Sequence, residues 1–550
     1  MTNLNLSNRK VIGKTTATQN IASTVGEYYF WIYDDQTVQP YDFVTAVDSD
    51  FYSIGVVLEI YAYTDAMSHL ANRLTSDLEP SANIQRLNAK VGQAKVFYSY
   101  YKDLLDNEEE RMQPVNSGSN VYVSTEDEIN KGLNAGRDIE KPLPGGLIAR
   151  TNGDPVIVNF DEEYILGPQS AHLNISGISG LATKTSYMMF LLYSINKKRP
   201  KEYINIIFNV KQADLMNIDK QPESVSEEDL NLYYKIFGDK DIPPFEDVKY
   251  YVPRSKGGGF FTYSNRKDLN CYAFSLKDCY YDLDLLFADI PDDYGTVDSF
   301  VRYARRDWDE RNQRWHIEGD KRYGSFNIGT WRELLDHLSK NSGNIANIYG
   351  FMPSTISRIQ RNLSRLTVSG IFVEERDSNE LYIRDIVSKA QPGNTIVIDI
   401  GKLGLLEQGF VVGEVFRELE DIMNSESEEN LKKVIVVVDE LNSLASKNES
   451  SELKHQIIEV ARKGRAAHFI IFGAEQFTSE VDEQIVGNSA LRIVGRTSSL
   501  ELQGPALRFL SPPEKNSAMV LRKGELLVSF PTFRSNIKIT FPRPPYQAAK

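Results

Sequence analysis

Short, continuous apolar runs of strand length constrain the fold of this chain more than any other feature. They are rich in β-branched residues, have few polar interruptions, and are separated by helix-sized segments. The runs are Pro155–Asn159, His172–Ser176, Tyr203–Val210, Thr395–Ile400, Val434–Val438, His468–Phe472 and Leu491–Val494. Strands buried on both faces have this composition, so the sequence predicts an α/β protein with a parallel-type central sheet.

The segments around these runs predict a chain of several parts. Closely spaced aromatic and β-branched runs between Val11 and Ile60 predict a small N-terminal β-barrel. The gap from about Lys211 to Ile345 is too long for a loop, so it predicts an inserted, mostly helical subdomain. Pro142–Gly146 predicts the first domain boundary. We expect a barrel with its connector over 1–145, the core over 146–210 and 346–530, the insertion over 211–345, and a C-terminal strand and tail over 531–550.

Composition and charge exclude several classes of protein. The 550 residues carry 62 Lys and Arg against 76 Asp and Glu, a net charge of −14. This balance argues against nonspecific coating of nucleic acid by the whole surface, and leaves a local basic channel open. No run approaches the roughly 18 apolar residues of a membrane helix, and the first ten residues predict no signal peptide. Two cysteines, Cys271 and Cys279, are too few for a disulfide frame, which predicts a cytoplasmic protein.

A glycine-containing turn follows the strand that ends at Ser176. Gly177 and Gly180 precede Lys184 and Thr185, and an apolar helix comes next, which is the order of a phosphate-binding P-loop. The predicted nucleotide-binding residues are Gly177, Ser179, Gly180, Leu181, Ala182, Thr183, Lys184, Thr185 and Ser186. The spacing is irregular, because Gly177 lies seven residues before Lys184 and Thr183 occupies the place of the second glycine. A plain strand–turn–helix remains the alternative.

Two carboxylates, Asp439 and Glu440, end the apolar run Val434–Val438. A carboxylate at such a strand end can hold Mg²⁺, and its neighbour can activate a water molecule. An ordinary acidic turn is the alternative for this motif alone. Because both motifs occur in the expected order, we predict an ATP site in which Thr185 and Asp439 hold Mg²⁺ and Glu440 is the catalytic base.

Three further residues are candidates for the same site. Gln476, beyond the strand that ends near Phe472, is predicted to sense the γ-phosphate or orient water, although a polar turn would explain it too. Arg465 closes the preceding helix and is a candidate finger toward a neighbouring subunit, or one of several cations stabilising a helix end. Asp399 either faces the same cleft or caps the next turn.

With these residues, the chain resembles the HerA branch of the HerA/FtsK superfamily of hexameric P-loop ATPases, in a form found in bacterial anti-phage defence. The resemblance rests on the barrel, the irregular P-loop, the Asp439–Glu440 strand, Lys463–Arg465 and the strand before Gln476. It implies a RecA-like core, a homohexameric ring, ATP hydrolysis between subunits and duplex DNA in a central channel. It also implies an effector docked on the barrel, either a NurA-type nuclease or a sirtuin-type NAD hydrolase.

The resemblance also assigns roles to residues. Lys184, Thr185, Asp439, Glu440 and Gln476 are implied to form the site in cis, and Arg465 is implied to act in trans. The chain departs from the pattern of the family at Thr183, where a glycine is usual, and at Ala171, where typical members have an arginine. These departures predict slow hydrolysis, or hydrolysis that needs ring assembly or a partner.

The candidate DNA contacts are Arg254 and Lys256, which lie in a glycine-rich segment between aromatic residues. Such a loop can enter a pore and contact phosphates, and a surface turn is the alternative. Three arginines at helical spacing, from Arg358 to Arg365, are read as a solvated basic face. The six histidines show no metal-ligand spacing, and no G-x-S-x-G elbow marks a serine hydrolase.

Together these features predict an ATP-hydrolysing, helicase-like DNA translocase that works with a partner effector in bacterial anti-phage defence. The alternative is a nucleotide-gated ring scaffold that assembles and activates the effector without productive translocation. A protein unfoldase built on a similar ring is a third class.

Overall fold

A computed structural model describes residues 9–65, 69, 88–103, 107–178, 183–287, 295–319, 324–366, 370–425, 432–448 and 451–547. The chain divides into two compact units, each described here by itself. Unit 1 contains 1–162, 491–503 and 507–542, and unit 2 contains 163–490, 504–506 and 543–550. Among the described residues, no helix is long and apolar enough to cross a membrane.

Strands and helices are numbered in chain order through the described residues. The strands are β1 Val11–Thr16, β2 Glu27–Ile32, β3 Phe43–Asp48, β4 Phe51–Thr64, β5 Asn88–Lys102, β6 Glu108–Glu110, β7 Asn120–Val123, β8 Pro142–Ile148, β9 Val156–Asp161, β10 Ala171–Ser176, β11 Ile204–Asn209, β12 Val248–Pro253, β13 Asn270–Tyr272, β14 Phe274–Ser275, β15 Trp308–Asp309, β16 Arg314–Ile317, β17 Phe326–Ile328, β18 Phe372–Val373, β19 Glu380–Leu381, β20 Thr395–Asp399, β21 Val434–Val438, β22 Phe469–Glu475, β23 Ser489–Val494, β24 Glu525–Ser529 and β25 Ile537–Thr540. The helices are α1 Glu126–Leu133, α2 Thr183–Lys198, α3 Glu227–Phe237, α4 Leu276–Cys279, α5 Thr296–Arg306, α6 Trp331–Lys340, α7 Ser342–Tyr349, α8 Pro353–Leu366, α9 Ile383–Ser388, α10 Leu405–Ser425, α11 Leu441–Leu444, α12 Glu452–Lys463, α13 Glu483–Asn488 and α14 Pro512–Val520.

Unit 1 begins with the predicted β-barrel. The strands pair in the order β2-β1-β7-β3-β4-β5, and β2 also pairs with β5, which closes the barrel. The period-2 alternation of an antiparallel strand is clear in β2, where Tyr28, Phe30 and Ile32 point into the core while Trp31 is exposed. The next helix, α1, is preceded by the N-cap residue Thr125, which forms a capping box with Glu128.

The rest of unit 1 is an antiparallel set of strands. β23 pairs with β24, β24 with β25, β25 with β8, and β8 with β9. The segment Pro142–Gly146, expected to be a boundary, instead lies within β8, and unit 1 continues to Glu162. Packing explains the glycine at position 145, because a Cβ there would lie 1.9 Å from the ring of Phe160.

Unit 2 contains the predicted parallel sheet, in the order β19-β13-β12-β20-β11-β21-β22-β10. Every neighbouring pair in this order is parallel. β10, β11, β20, β21 and β22 are buried along their whole length, as expected for strands covered on both faces. The predicted α/β class, with its barrel and parallel sheet, is confirmed.

The segment 211–345 differs from a mostly helical insertion. It contributes β12 and β13 to the central sheet of unit 2, together with helices such as α3 and α6 and the small antiparallel sheet β15-β16-β17. β12 has the sequence Val-Lys-Tyr-Tyr-Val-Pro, which is not a continuous apolar run, and pairs in parallel with β20. Its strand conformation therefore depends on its neighbours more than on its own composition.

Candidate functional site

The site lies where strands β10, β22 and β21 end. The three strands are adjacent and parallel, with Ser176 opposite Glu475 and Val438 opposite Gly473. Because parallel strands end at the same edge, the residues that follow them meet there although they are far apart in the chain. The structure thus brings the lysine-bearing turn and the carboxylate pair side by side.

Lys184 lies in the first turn of α2 and points back to this edge. Its Nζ donates to the backbone oxygens of Gly177 at 2.7 Å and Glu475 at 3.0 Å. The side chain is buried, and burial lowers the pKa of Lys184, an effect opposed by the nearby charges of Asp439 and Glu440. The ammonium group is therefore held at the edge by neutral oxygens that a phosphate can replace.

Gly177 begins the turn with a φ of 154°, a conformation that residues with a Cβ rarely adopt. Thr183 and Ser186, also predicted to bind nucleotide, lie in the first turn of α2, whose N–H groups and dipole favour an anion. The other predicted loop residues, Ser179, Gly180, Leu181 and Ala182, lie outside the described residues.

Thr185 and Asp439, the two predicted metal ligands, are in direct contact. The hydroxyl of Thr185 donates to Asp439 Oδ2 at 2.9 Å. A hydroxyl and a carboxylate at one point are oxygen ligands of the kind Mg²⁺ prefers, and Mg²⁺ commonly takes its remaining ligands from water and phosphate. Among the described residues, no group of three or more His, Cys, Asp or Glu side chains is placed to hold a metal. The Thr185 hydroxyl and the Asp439 carboxylate are ligands that fit Mg²⁺.

Glu440 stands at the start of α11 with a left-handed backbone, φ 59° and ψ 44°. This conformation is costly for a non-glycine residue and often occurs at functional sites. The carboxylate accepts a hydrogen bond of 3.0 Å from Gln476 Nε2. The structure thus places Gln476 against the predicted base.

Lys211, which sequence reasoning missed, completes the cluster. It follows β11, pairs with Glu440 Oε1 and lies 3.4 Å from Asp439 Oδ2. Burial acts to lower the pKa of Lys211, but the two carboxylates outweigh it and the pKa is raised. For Glu440, burial acts to raise the pKa, but Lys211, Gln476 and Lys184 outweigh it and the pKa is lowered. The sequence did contain a signal for Lys211, because this charged residue directly follows the apolar run Tyr203–Val210.

A buried carboxylate beneath Lys184 was also missed. Glu475 is fully buried at the end of β22, where Asn174 Nδ2 donates to its Oε2 at 3.0 Å and Thr478 Oγ1 to its Oε1 at 3.2 Å. Its backbone oxygen is one of the two that hold Lys184. Glu475 therefore shapes the floor of the site, and it is the last residue of its buried strand, whereas Asp439 is the first residue after β21.

Arg465 does not join this cluster. It precedes β22, whereas Gln476 follows it, so the two residues lie at opposite ends of the strand. Its Nη1 donates to the backbone oxygen of Gln169 at 3.1 Å, and its side chain is exposed. The arrangement provides no role for Arg465 within its own site.

Asp399 is the last residue of β20, and its carboxylate caps the turn that follows this strand. It accepts hydrogen bonds from the backbone N of Gly401 at 3.1 Å, from Asn209 Nδ2 at 2.7 Å, and from the hydroxyl of Thr262. Burial raises the pKa of Asp399, and the hydrogen bonds from Thr262 and Asn209 oppose this. Of the two sequence interpretations, the structure bears out the capped turn.

The two candidate DNA contacts have different surroundings. Arg254 forms an ion pair with Glu380, while Lys256 is exposed at the tip of a tight turn in which Ser255 N donates to Gly259 O at 2.9 Å. Phe260, at the base of the turn, is 44% exposed. The predicted basic face of α8 is present too, since its arginines are exposed opposite the buried Ile359.

No protein-family model matches the chain, and no curated protein matches it. Among solved structures, it is similar to the bacterial conjugative coupling protein TrwB, at 14% identity and a TM-score of 0.43 over 69% of this chain and 87% of that chain. VirB4 of Thermoanaerobacter pseudethanolicus gives 16% identity and a TM-score of 0.41, over 73% and 96%. EssC (ATPases 2 and 3) from Geobacillus thermodenitrificans gives 12% and 0.28, over 74% and 45%. These likenesses are low, so the functions of those proteins are not assigned to this chain.

Proposed function

We propose that this protein is a P-loop ATPase that uses ATP and Mg²⁺. The observation that carries the proposal is the meeting of Lys184, Thr185, Asp439, Glu440 and Gln476 at one edge of a parallel sheet. A cation, a hydroxyl–carboxylate pair and a hydrogen-bonded carboxylate are the groups that phosphoryl transfer to water needs. A simple structural turn would not explain why residues from three strand ends converge here.

Each residue then has a chemical task. Lys184 exchanges the backbone oxygens of Gly177 and Glu475 for phosphate oxygens, and Thr185 and Asp439 would hold the metal. When bound, Mg²⁺ supplies charge neutralisation on the phosphates. Glu440 takes a proton from the attacking water as the new oxygen–phosphorus bond forms. The bond from the γ-phosphorus to the bridging oxygen breaks, and ADP and phosphate leave. Gln476 holds the Glu440 carboxylate in position through its amide.

We further propose a homohexameric motor of the HerA branch, located in the cytoplasm, that translocates duplex DNA through the ring. The resemblance of the sequence supports this, and two observations agree with it. Arg465 is exposed away from its own site, as a residue that completes a neighbour's site would be. Lys256 is exposed on a turn flanked by the exposed Phe260, a combination suited to phosphate and base contacts.

The barrel is the proposed docking face for the effector, a sirtuin-type NAD hydrolase or a nuclease acting in anti-phage defence. Support comes from aromatic side chains on its outer surface: Trp31 is 42% exposed, Tyr33 40% and Tyr63 49%. Exposed aromatic residues are enriched where proteins bind one another. Co-purification of the effector with wild-type protein, and its loss with Trp31→Ser, would support this assignment.

The scaffold alternative remains a second candidate because of one contact. Arg254 is paired with Glu380, so one of the two predicted DNA cations is neutralised within the chain. The net charge of −14 points the same way. In this alternative, nucleotide assembles the ring and the effector is activated without translocation.

One set of assays separates the classes. ATP turnover of the purified ring is measured with and without duplex DNA, and with Lys184→Ala as the inactive reference. DNA-stimulated turnover and displacement of a bound roadblock support the motor. If DNA does not change ATP turnover but the effector is still activated, the result supports the scaffold. If unfolded polypeptide stimulates turnover, the result supports an unfoldase. Equal turnover by wild type and Lys184→Ala would refute the ATPase assignment itself.

A further inference from the structure

Lys211 occupies the position where it can block the proposed chemistry. It pairs with Glu440 and lies 3.4 Å from Asp439, so one ammonium group neutralises both the base and the metal ligand. Lys211 shares the Oε1 oxygen of Glu440 with Gln476 and also faces Asp439, so its ammonium group occupies space between the two carboxylates that a metal ion and a water molecule would need.

The burial of the three side chains indicates which of them can leave. The side chain of Lys211 is 39% exposed, against 14% for Glu440 and 7% for Asp439. Glu440 is also fixed by Gln476. Activation therefore requires movement of Lys211, because the carboxylates are held in the sheet edge.

The backbone beside Lys211 is tied to a buried polar pair. Asn209 Nδ2 donates to the backbone oxygen of Gln212 at 2.8 Å and to Asp399 Oδ1 at 2.7 Å. Both Asn209 and Asp399 are fully buried. The other carboxylate oxygen of Asp399 accepts the hydroxyl of Thr262. A continuous set of hydrogen bonds thus runs from the segment after Lys211 to Thr262.

Thr262 lies in the segment that carries the exposed Lys256 and Phe260, here called the Lys256 loop and comprising residues 254–263. Tyr263, the last residue of this loop, is 53% exposed, and Lys402 Nζ lies 4.6 Å from the centre of its ring. A polyanion that contacts Lys256, Lys402 and the neighbouring aromatic rings would therefore bind to the loop next to Thr262.

We propose that Lys211 restrains Glu440 in the resting protein, and that DNA bound at the Lys256 loop releases it through Thr262, Asp399 and Asn209. This inference rests on the proposed ATPase and DNA-translocase function. It assigns to Lys211 and Thr262 the coupling between DNA occupancy and ATP turnover. Coupling of this kind is a free energy shared between two sites, so it is measurable from either one.

The first experiment tests the connection with Thr262→Val, which removes the hydroxyl, and Thr262→Ser, which keeps it. ATP turnover is measured with and without duplex DNA in wild type and in both variants. The stimulation by duplex DNA is expected to fall about five-fold in Thr262→Val and to be retained in Thr262→Ser. Equal stimulation in all three proteins would overturn the proposal.

The second experiment tests the restraint with Lys211→Met and Lys211→Arg. Lys211→Met is expected to raise turnover without DNA about five-fold, toward the stimulated rate, whereas Lys211→Arg keeps the restraint. Titration calorimetry supplies a readout apart from activity, because Lys211→Met should bind Mg²⁺-ADP more tightly than wild type does. The restraint would be overturned if Lys211→Met turned over ATP more slowly than wild type with the same stimulation by DNA. It would also be overturned if this variant bound Mg²⁺-ADP with the affinity of wild type. If DNA does not stimulate turnover of wild type, the proposed translocase function fails. If DNA stimulates wild type and the variants equally, only the proposed coupling fails.

Discussion

The hydroxyl of Thr185 donates a 2.9 Å hydrogen bond to the Oδ2 of Asp439 across 254 residues of sequence. This contact joins the start of α2, the helix after β10, to the residue that follows β21, and β22 lies between the two strands. A helix start and a strand end that met by chance would not need complementary metal-binding oxygens.

Replacing Lys184 by alanine is expected to weaken ADP binding about 100-fold, because a charge-assisted hydrogen bond to phosphate contributes about 3 kcal/mol. ATP turnover should be lost as well. The measurement is the Kd of ADP by titration calorimetry. Lys197→Ala, an exposed lysine at the other end of the same helix, is the matched control and should bind like wild type. Wild-type affinity in Lys184→Ala would contradict its assignment.

Thr185→Val removes the hydroxyl but keeps the shape of the side chain. We expect the Kd of ADP without Mg²⁺ to stay near wild type, while the gain in affinity on adding Mg²⁺ is lost. Thr185→Ser retains the hydroxyl and should retain the Mg²⁺ effect. A Mg²⁺ effect of wild-type size in the valine variant would show that Thr185 is not a metal ligand.

Glu440→Gln is expected to bind ATP normally and to hydrolyse it about 10²–10⁴-fold more slowly, which is the range for loss of a general base. Single-turnover measurement with saturating protein separates the chemical step from binding. Gln476→Ala should give a smaller loss, since it only removes the 3.0 Å hydrogen bond that positions Glu440. Normal single-turnover rates in Glu440→Gln would exclude it as the base.

Arg465→Ala is expected to abolish hydrolysis while leaving nucleotide binding nearly intact, because Arg465 lies away from its own site. Mixing this variant with Glu440→Ala subunits should restore part of the turnover if sites are shared between chains. The mixing ratio is varied and turnover is measured at each point. Arg462→Ala, in the last turn of helix α12 just before Arg465, serves as the control.

His172 predicts a pH dependence of folding stability. Its Nε2 donates to the backbone oxygen of Ala461 at 3.0 Å, and its Nδ1 accepts from the backbone N of Ile471 at 3.0 Å, so the folded protein holds the neutral ring. Burial lowers its pKa from 6.5 to about 4, and the charge of Arg465 acts in the same direction. Below pH 6.5 the ring of His172 is therefore protonated in the unfolded chain but stays neutral in the folded chain. The free energy of unfolding falls as the pH decreases, until about pH 4.

The full effect corresponds to about 3 kcal/mol, at 1.36 kcal/mol for each pKa unit. The free energy of unfolding in urea is compared between pH 4.5 and pH 7 for wild type and His172→Asn. His172 has a left-handed backbone with φ 70°, which asparagine tolerates, and the variant is expected to show the flatter profile. Parallel profiles would mean that His172 is not the residue responsible.

The sequence predicted those features that local patterns determine. The strand β21, with five β-branched residues in succession, and the alternating strand β2 show their environments directly. β12 was hidden because its lysine and tyrosines break the apolar pattern and only pairing with β20 makes it a strand. Pro142–Gly146 resembled a linker because the ring of Phe160, which fills the space beside Gly145, is distant in sequence.

The candidate site divides in the same way. Lys184 and Asp439 belong to recognisable motifs, so their residues could be chosen from the sequence. Lys211 and Glu475 have no motif, and their importance comes from contacts made across the sheet edge. Arg254 illustrates the converse, since its local setting indicated a DNA contact and its ion pair with Glu380 lies 126 residues away.

β21 also determines where this protein can change shape. It lies between β11 and β22, and each of its residues is buried. Its amide protons should therefore be among the slowest to exchange with solvent, and binding of nucleotide should alter them little. Conformational changes on nucleotide binding are therefore expected in the segments that follow the strands and not in β21 itself.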